Sequence, residues 1–191
     1  HEYEFDSIKF KDVEYQYTNA EGEKTFSLGP LNLEINKGET IFVIGGNGSG
    51  KSTFVNLLSG LYQPTEGGLY LNDTIVSAND YPLYSDQIAA IFTNNHLFSE
   101  NYTDLKIDAK NEYLMELVNM MELSEKVKFN EEKGTIETKL SKGQQKRLAL
   151  IYAILEEKSL IILDEWAAEQ DPYFRNYFYE IIVPYLKSEG R

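Results

Sequence analysis

The chain has 191 residues, 42% of them apolar, which is enough for the core of one ordinary domain. Its formal net charge of −13 at pH 7 opposes contact with other polyanions, so we expect no nucleic-acid partner. The absence of cysteine excludes disulfide bonds and thiolate metal sites.

The first half of the chain predicts strands around a glycine-rich loop. Aromatic and β-branched residues over 7–19 are typical of a strand, and residues 31–35 alternate as a second one. Residues 40–44, TIFVI, are apolar on both faces, which is typical of a strand in a buried parallel sheet. A helix with one apolar stripe is predicted over 52–61, and the composition of 64–73 indicates a hairpin.

The second half changes from helix to strand and back to helix. Apolar residues with helical spacing lie within 107–123, and an S-x-x-Q capping box at Ser141 predicts the start of another helix. Residues 159–165 are typical of a buried strand, and residues 175–186 of a covering helix interrupted near its proline. The predicted organisation is therefore α/β with a mostly helical insert.

The stretch GGNGSGKST at 45–53, called the phosphate loop below, fits the pattern G-x-x-x-x-G-K-S and lies between a predicted strand and a predicted helix. Its glycines allow the backbone to wrap around a phosphate, with the amides of about 47–53 pointing inward. Lys51 would reach the β- and γ-phosphates, and Ser52 would offer its hydroxyl to Mg²⁺. The alternative, a glycine-rich turn without function, is disfavoured by the strand–helix setting.

Two acidic residues end the predicted strand LIILDE. Asp164 occupies the usual position of a carboxylate that holds Mg²⁺ through water. Glu165 follows it and would orient or deprotonate the water that attacks the γ-phosphate. The alternative is an acidic strand end capped by solvent, which the phosphate loop upstream disfavours.

A second glycine turn, LSKGQ at 140–144, precedes the helix that Ser141 caps and is called the signature turn below. The Ser141 side chain and the amide of Gly143 lie where a helix N-terminus favours an anion. Both cannot easily reach the nucleotide held by their own phosphate loop. The sequence therefore predicts an ATP-dependent head-to-tail homodimer, in which each ATP lies between the phosphate loop of one copy and the signature turn of the other.

The order GGNGSGKST, LSKGQ, LIILDE resembles the nucleotide-binding domain of ABC transporters over nearly the whole chain. The stretches DEWAAEQDP and AAIFTNNHLF resemble the cyclic-peptide and siderophore-exporter branch, in which the ATPase is fused behind a membrane domain. The resemblance implies an α/β P-loop NTPase fold with a RecA-like core of mixed sheet, an N-terminal antiparallel β-subdomain and an inserted helical subdomain. It implies one domain over 1–191, with the ATP-binding core at 1–93 and 158–191 and the helical signature subdomain at 94–157.

The resemblance also implies roles for single residues. Tyr17 matches the aromatic residue that stacks on adenine, with Tyr15 as a nearby competitor, and either could instead belong to the core. Asp171 matches the aspartate that crosses the dimer interface, and Lys142 stands where glycine is common, with its side chain free to point outward. The predicted nucleotide-binding residues are Tyr17, Gly45, Gly46, Asn47, Gly48, Ser49, Gly50, Lys51, Ser52, Thr53, Ser141, Gly143, Gln144 and Asp171; the predicted catalytic residues are Lys51 and Glu165, and the predicted metal ligands are Ser52 and Asp164.

Two positions depart from the family pattern. The family's glutamine that touches Mg²⁺ and the attacking water falls at Thr93, which is too short for that role, and Asn94 or Asn95 is the alternative source of an amide. The family's switch histidine follows the interface aspartate, whereas the two histidines here, His1 and His96, both lie upstream of the acidic strand end. We therefore expect the domain to be C-terminally incomplete and weakly active as it stands.

The resemblance implies ATP binding and hydrolysis that power export by an ABC transporter, with a cyclic peptide or a siderophore as cargo. The implied cofactors are ATP and Mg²⁺, the implied partner is the membrane domain of the same polypeptide, and the implied place is the cytoplasmic face of the inner membrane. The alternatives are a soluble non-transport ABC ATPase and a nucleotide-gated module with little turnover. Since no apolar run approaches the roughly 20 residues that cross a bilayer, we expect the chain by itself to be soluble.

Overall fold

The computed structural model describes residues 5–92, 107–130, 132, 134–136 and 139–190. The chain divides into two compact units, His1–Ile88 with Glu180–Arg191 and Ala89–Tyr179. Within the described ranges, no helix combines the length and apolarity that a membrane span requires. The subdomain boundaries expected from the family resemblance stay a prediction.

The elements are numbered along the chain. The described strands are β1 (Ser7–Thr18), β2 (Lys24–Asn36), β3 (Glu66–Leu71), β4 (Thr74–Ile75), β5 (Ile88–Ile91), β6 (Phe129–Asn130), β7 (Thr135–Ile136) and β8 (Leu160–Leu163). The described helices are α1 (Lys51–Leu58), α2 (Tyr81–Asp86), α3 (Glu112–Met120), α4 (Lys142–Leu155), α5 (Pro172–Tyr177) and α6 (Val183–Ser188), with a 3-10 turn at Trp166–Glu169 and a π-helical segment at Phe178–Ile182.

The first unit is built on an antiparallel sheet with the strand order β2-β1-β3-β4. The sheet confirms the predicted N-terminal strands, and the inward side chains of β1, among them Ile8 and Phe10, are almost fully buried. The predicted hairpin is displaced along the chain, because its turn falls at Asn72 and Asp73, whose φ angles are 49° and 66°. Two left-handed residues form the tight turn that the twist of a two-residue hairpin favours.

The apolar segment 40–44 is not a strand in the structure, contrary to the prediction from its composition. Phe42 is 62% exposed and Ile44 is 91% exposed, and no described strand forms a ladder with this segment. A strand that is apolar on both faces requires neighbours along its edges and over its faces. With the apolar side chains of β2, the segment instead lines a groove of about 480 Å³ that reaches Gly50 and Lys51.

Helix α1 follows the phosphate loop and ends earlier than its apolar pattern predicts. Gly60, with φ 79°, closes the helix in a left-handed conformation, so that Leu61 lies outside it and is 64% exposed. The hydroxyl of Tyr84 donates a hydrogen bond of 2.6 Å to the carbonyl oxygen of Leu58 at the end of α1. Tyr84 is buried, and this burial raises the pKa of its phenol. A buried side chain therefore fixes the C-terminal end of the phosphate-loop helix.

Helices α3 and α4 supply a large part of the core of the second unit, which also contains the short hairpin β6–β7 and β8 with most of its partner strand β5. Asn111 caps α3 by accepting a hydrogen bond from the amide of Leu114 at 3.1 Å. The apolar residues of α3 and α4 that are buried have the helical spacing that the sequence indicates. They are Leu114, Leu117, Val118, Leu148, Leu150, Ile151, Ala153 and Ile154.

The predicted covering helix near the C-terminal end is divided into α5, the π-helical segment and α6. Pro184 lies at the start of α6, directly after the π-helical segment. Proline cannot donate to the carbonyl four residues earlier and its ring clashes with that carbonyl, so the turn before it widens. The predicted interruption near Pro184 is confirmed.

Candidate nucleotide-binding site

The phosphate loop leads into a helix N-terminus that no side chain caps. Gly50 is the N-cap of α1 in a left-handed conformation, with φ 96° and ψ 6°. A Cβ atom at Gly50 would lie 2.8 Å from Leu28 Cδ1, and one at Gly45 would lie 2.6 Å from Ser49 Oγ. Glycine is therefore required at Gly50, where φ is also left-handed, whereas at Gly45 the nearest atom is a serine hydroxyl that can rotate away. The first amides of α1 have no side-chain cap, as at a helix N-terminus that binds an anion.

Lys51 crosses the phosphate loop from the first position of α1. Its Nζ donates hydrogen bonds of 2.8 Å to the carbonyl oxygen of Gly45 and 2.9 Å to that of Gly46. A phosphate oxygen is a stronger acceptor for an ammonium group than a neutral carbonyl. The arrangement of loop amides and ammonium therefore fits a polyphosphate, and the exposed hydroxyl of Ser52 follows directly in the chain.

An aromatic cluster lies beside the phosphate-loop helix. The Tyr17 hydroxyl is 3.1 Å from Thr53 Oγ1, so the structure brings these two predicted site residues together. Tyr15 instead stacks on Tyr62, with ring centroids 4.8 Å apart and planes 14° apart. The pKa of Tyr62 is raised, mainly by its hydrogen bond with Tyr17. The adenine contact of Tyr17, with Tyr15 as its competitor, stays a prediction.

The acidic strand end lies in the second unit. The amide of Asp164 donates a hydrogen bond of 2.9 Å to the carbonyl oxygen of Ile91, and its side chain is half-buried. Glu165 is exposed and has a left-handed backbone, with φ 50° and ψ 27°. A left-handed conformation costs about 1–3 kcal/mol for a residue other than glycine, so surrounding contacts must hold it. One of them is a hydrogen bond of 3.2 Å from Lys146 Nζ to the carbonyl oxygen of Glu165.

The signature turn has the predicted capping box. Ser141 Oγ accepts a hydrogen bond from the amide of Gln144 at 3.3 Å, and Gln144 Oε1 accepts one from the amide of Ser141 at 3.0 Å. Ser141 and Lys142 are exposed. A Cβ atom at Gly143 would lie 2.7 Å from the carbonyl oxygen of Glu169. Glycine is therefore needed at this position for packing within the chain itself.

Sequence reasoning missed a group of buried polar residues behind the signature turn. Lys146 is 7% exposed, Arg147 is 8% exposed and Gln170 is 4% exposed. Arg147 Nε donates to Gln170 Oε1 at 2.9 Å, and its guanidinium lies over the ring of Phe174 at 3.4 Å. Burial lowers the pKa of Arg147. The sequence does indicate that Arg147 is buried, because it lies four residues before the apolar Ile151 and therefore shares the inward face of the helix.

Asp171 is held within its own chain. Its Oδ1 accepts a hydrogen bond of 2.9 Å from the amide of Phe174 at the start of α5, and its Oδ2 accepts one of 3.1 Å from Arg147. The amide of Phe174 and the charge of Arg147 lower the pKa of Asp171. The predicted role of Asp171 across a dimer interface stays a prediction. Thr93, Asn94, Asn95, His1 and His96 lie outside the described residues.

A glycine-lined helix N-terminus with a lysine across its loop defines the class of this molecule: it is a nucleotide-binding domain of α/β P-loop fold. The sequence pattern of the ABC transporter family matches residues 28–168. The chain therefore belongs to the ABC transporter family, as the order of its three motifs indicates.

Relatives and solved structures agree with this assignment. The chain is 39% identical over 192 residues to "ATP-binding protein SyrD" of Pseudomonas syringae pv. syringae, and the alignment covers 100% of this chain and 34% of the relative. It is 33% identical over 180 residues to "Subtilin transport ATP-binding protein SpaT" of Bacillus subtilis, and that alignment covers 87% of this chain and 29% of the relative. The fold is similar to that of a bacterial Atm1-family ABC exporter with ATP bound, with a TM-score of 0.75 and 16% identity over 98% of this chain and 33% of that one. The chain thus spans about a third of the length of these proteins.

Proposed function

We propose that the chain binds ATP with Mg²⁺ and hydrolyses it to power export, as the ATPase domain of an ABC transporter. The observation that carries the proposal is the phosphate loop, where Lys51 bridges two loop carbonyls at the uncapped start of α1. The relatives named above are an ATP-binding protein and a subtilin transport ATP-binding protein, which supports a role in transport. A cyclic peptide or a siderophore is the proposed cargo class.

The proposed chemistry assigns a separate task to each predicted site residue. The amides of the phosphate loop and the Lys51 ammonium hold the β- and γ-phosphates. The exposed carboxylate of Glu165 orients the attacking water and accepts its proton. Ser52 and Asp164 offer oxygen atoms of the kind that Mg²⁺ prefers, and they are its proposed ligands. When bound, Mg²⁺ would screen the charge that develops on the transferred phosphoryl group.

The proposed assembly is a head-to-tail pair in which the signature turn of one copy reaches the γ-phosphate held by the other. The exposure of Ser141 and Lys142 at the start of α4 supports a contact with a second molecule. The other proposed partner is a membrane domain in the same polypeptide, at the cytoplasmic face of the inner membrane. Cargo selection would belong to that membrane domain.

Calorimetry of ATP binding tests the proposal at its first step. Lys51→Ala removes the ammonium from the loop, so ATP affinity should fall at least about tenfold because charge-assisted hydrogen bonds to phosphate are lost. Lys37→Ala removes an exposed lysine of the same unit and is the matched control, which should bind ATP like the wild type. Equal affinities for Lys51→Ala and the wild type would disprove the assignment of the phosphate loop.

A further inference from the structure

The signature turn contacts residues 164–171 of the same chain, here called the acidic segment. Gln170 Nε2 donates a hydrogen bond of 3.0 Å to the carbonyl oxygen of Gly143, and Gln170 Oε1 accepts one of 2.9 Å from Arg147 Nε. Arg147 can only donate and the Gly143 carbonyl can only accept, so the orientation of the Gln170 amide is unambiguous. Gln170 therefore joins the turn and the helix behind it to the acidic segment.

A second pair of contacts extends this connection to Glu165. Trp166 Nε1 donates a hydrogen bond of 2.8 Å to the carbonyl oxygen of Lys146, and Lys146 Nζ donates one of 3.2 Å to the carbonyl oxygen of Glu165. Trp166 is 2% exposed, so the contact is shielded from water. Both ends of the acidic segment are thus attached to the first two turns of α4.

At Gly143 the signature turn packs so closely against the acidic segment that the two have little room to move relative to each other. A Cβ atom there would lie 2.7 Å from the carbonyl oxygen of Glu169 and 3.3 Å from Gln170 Oε1. Packed interfaces of this kind shift as units rather than deforming continuously. A displacement of the signature turn therefore displaces the backbone that carries the Glu165 carboxylate.

We propose that Gln170 is a positioning residue that fixes the signature turn to the acidic segment, so that the turn and Glu165 move as one body. The inference rests on the proposed function and deepens it. In a head-to-tail pair, the turn contacts the nucleotide of the other copy, while Glu165 acts on the nucleotide of its own copy. Engagement of one nucleotide then sets the position of the carboxylate that serves the other.

Two substitutions separate the bond to the turn from the bond to the helix. Gln170→Glu keeps an acceptor for Arg147 Nε but places a carboxylate oxygen against the Gly143 carbonyl, so only the bond to the turn is lost. Gln170→Met has a similar volume and loses both bonds. Glu169→Gln makes the reverse exchange, of one oxygen for an NH2 group, in the adjacent exposed side chain and is the matched control.

Turnover of ATP by the full-length protein gives the functional measurement. Both Gln170 variants should lower kcat about tenfold while KM for ATP changes less than about threefold, because small misplacements of catalytic groups reduce rate more than binding. Gln170→Glu should keep the melting temperature of the wild type, since it retains the pairing with Arg147. A wild-type kcat in Gln170→Glu would overturn the proposal. So would a loss of kcat that occurs only together with a loss of melting temperature and of Lys51-dependent ATP binding.

Hydrogen exchange tests the positioning without any nucleotide. Amides of the first turn of α4 should exchange about tenfold faster in both Gln170 variants, with amides near its C-terminal end unchanged. Unchanged exchange at the turn in Gln170→Glu would overturn the inference even if ATP turnover fell. Failure of the proposed function is a separate result, seen as wild-type protein that does not bind ATP through Lys51.

Discussion

Gly50 and Gly143 both lie where a Cβ atom would approach a neighbouring atom too closely, although different parts of the chain surround them. Gly50 combines a left-handed φ of 96° with a close approach to Leu28, and Gly143 lies against the carbonyl oxygen of Glu169. A motif pattern predicts both glycines as phosphate contacts. The structure adds that neither position tolerates a Cβ atom even before a nucleotide binds. A substitution at either glycine would therefore report on packing as well as on binding.

Tyr17 is the residue for which the structure makes the sharpest single-site prediction. If its ring stacks on adenine, Tyr17→Ala should weaken ATP about tenfold and leave inorganic triphosphate unaffected, since an aromatic contact contributes about 1 kcal/mol or more. Tyr17→Phe loses only the hydroxyl that faces Thr53 and should keep most of the affinity. Competition against a fluorescently labelled ATP measures the affinities of the variants for ATP and for inorganic triphosphate. If Tyr15→Ala weakens ATP and Tyr17→Ala does not, Tyr15 is the stacking residue.

At the scale of elements, a local signal predicted the start of α4, whereas contacts between distant parts of the sequence were missed. The capping box of Ser141 and Gln144 is readable from four consecutive residues and is confirmed. Gln170 and Gly143 are 27 positions apart, and no periodic pattern joins them. The apolar segment 40–44 was wrongly predicted as a strand, because composition indicates what a strand would bury but not whether neighbours are there to cover it. Side chains that act through distant backbone carbonyls therefore need the structure.

The anchoring of helix α1 gives an element-scale prediction. Tyr84→Phe removes the donor that the buried carbonyl oxygen of Leu58 uses, so the free energy of unfolding should fall by about 1–2 kcal/mol. Urea denaturation measures the change. Tyr81→Phe, at a neighbouring buried tyrosine of α2, is the matched control and should change the free energy less. Equal losses in the two variants would mean that packing, and not the hydrogen bond to α1, explains the effect.

At the scale of the whole molecule, the predicted site residues come from the phosphate loop, the acidic strand end and the signature turn, and the proposed assembly adds a second copy of the chain. The family could be assigned from the order of three short motifs, and the match of the family's sequence pattern to residues 28–168 confirms the assignment. The proposed contact of the signature turn is with a nucleotide bound to another molecule. Ser141 is exposed and yet already used as a helix cap, so a test of this contact must separate the two roles.

The final prediction concerns assembly. Glu165→Gln should keep the shape of the site but remove the carboxylate that accepts a proton from water, so that bound ATP persists and holds two copies together. Adding Ser141→Arg should block this dimer, because a bulky cation would fill the space meant for the γ-phosphate of the nucleotide on the other copy. Adding Ser141→Ala instead removes the cap, at a cost of about 1 kcal/mol, and the hydroxyl that faces the γ-phosphate, but it leaves the space open, so it should weaken the dimer less than Ser141→Arg does. Sedimentation with and without ATP measures the dimer, and calorimetry should show that Ser141→Arg leaves monomer affinity nearly intact. If Ser141→Arg abolishes monomer affinity as thoroughly as Lys51→Ala does, both glycine turns serve one nucleotide and the head-to-tail arrangement is wrong.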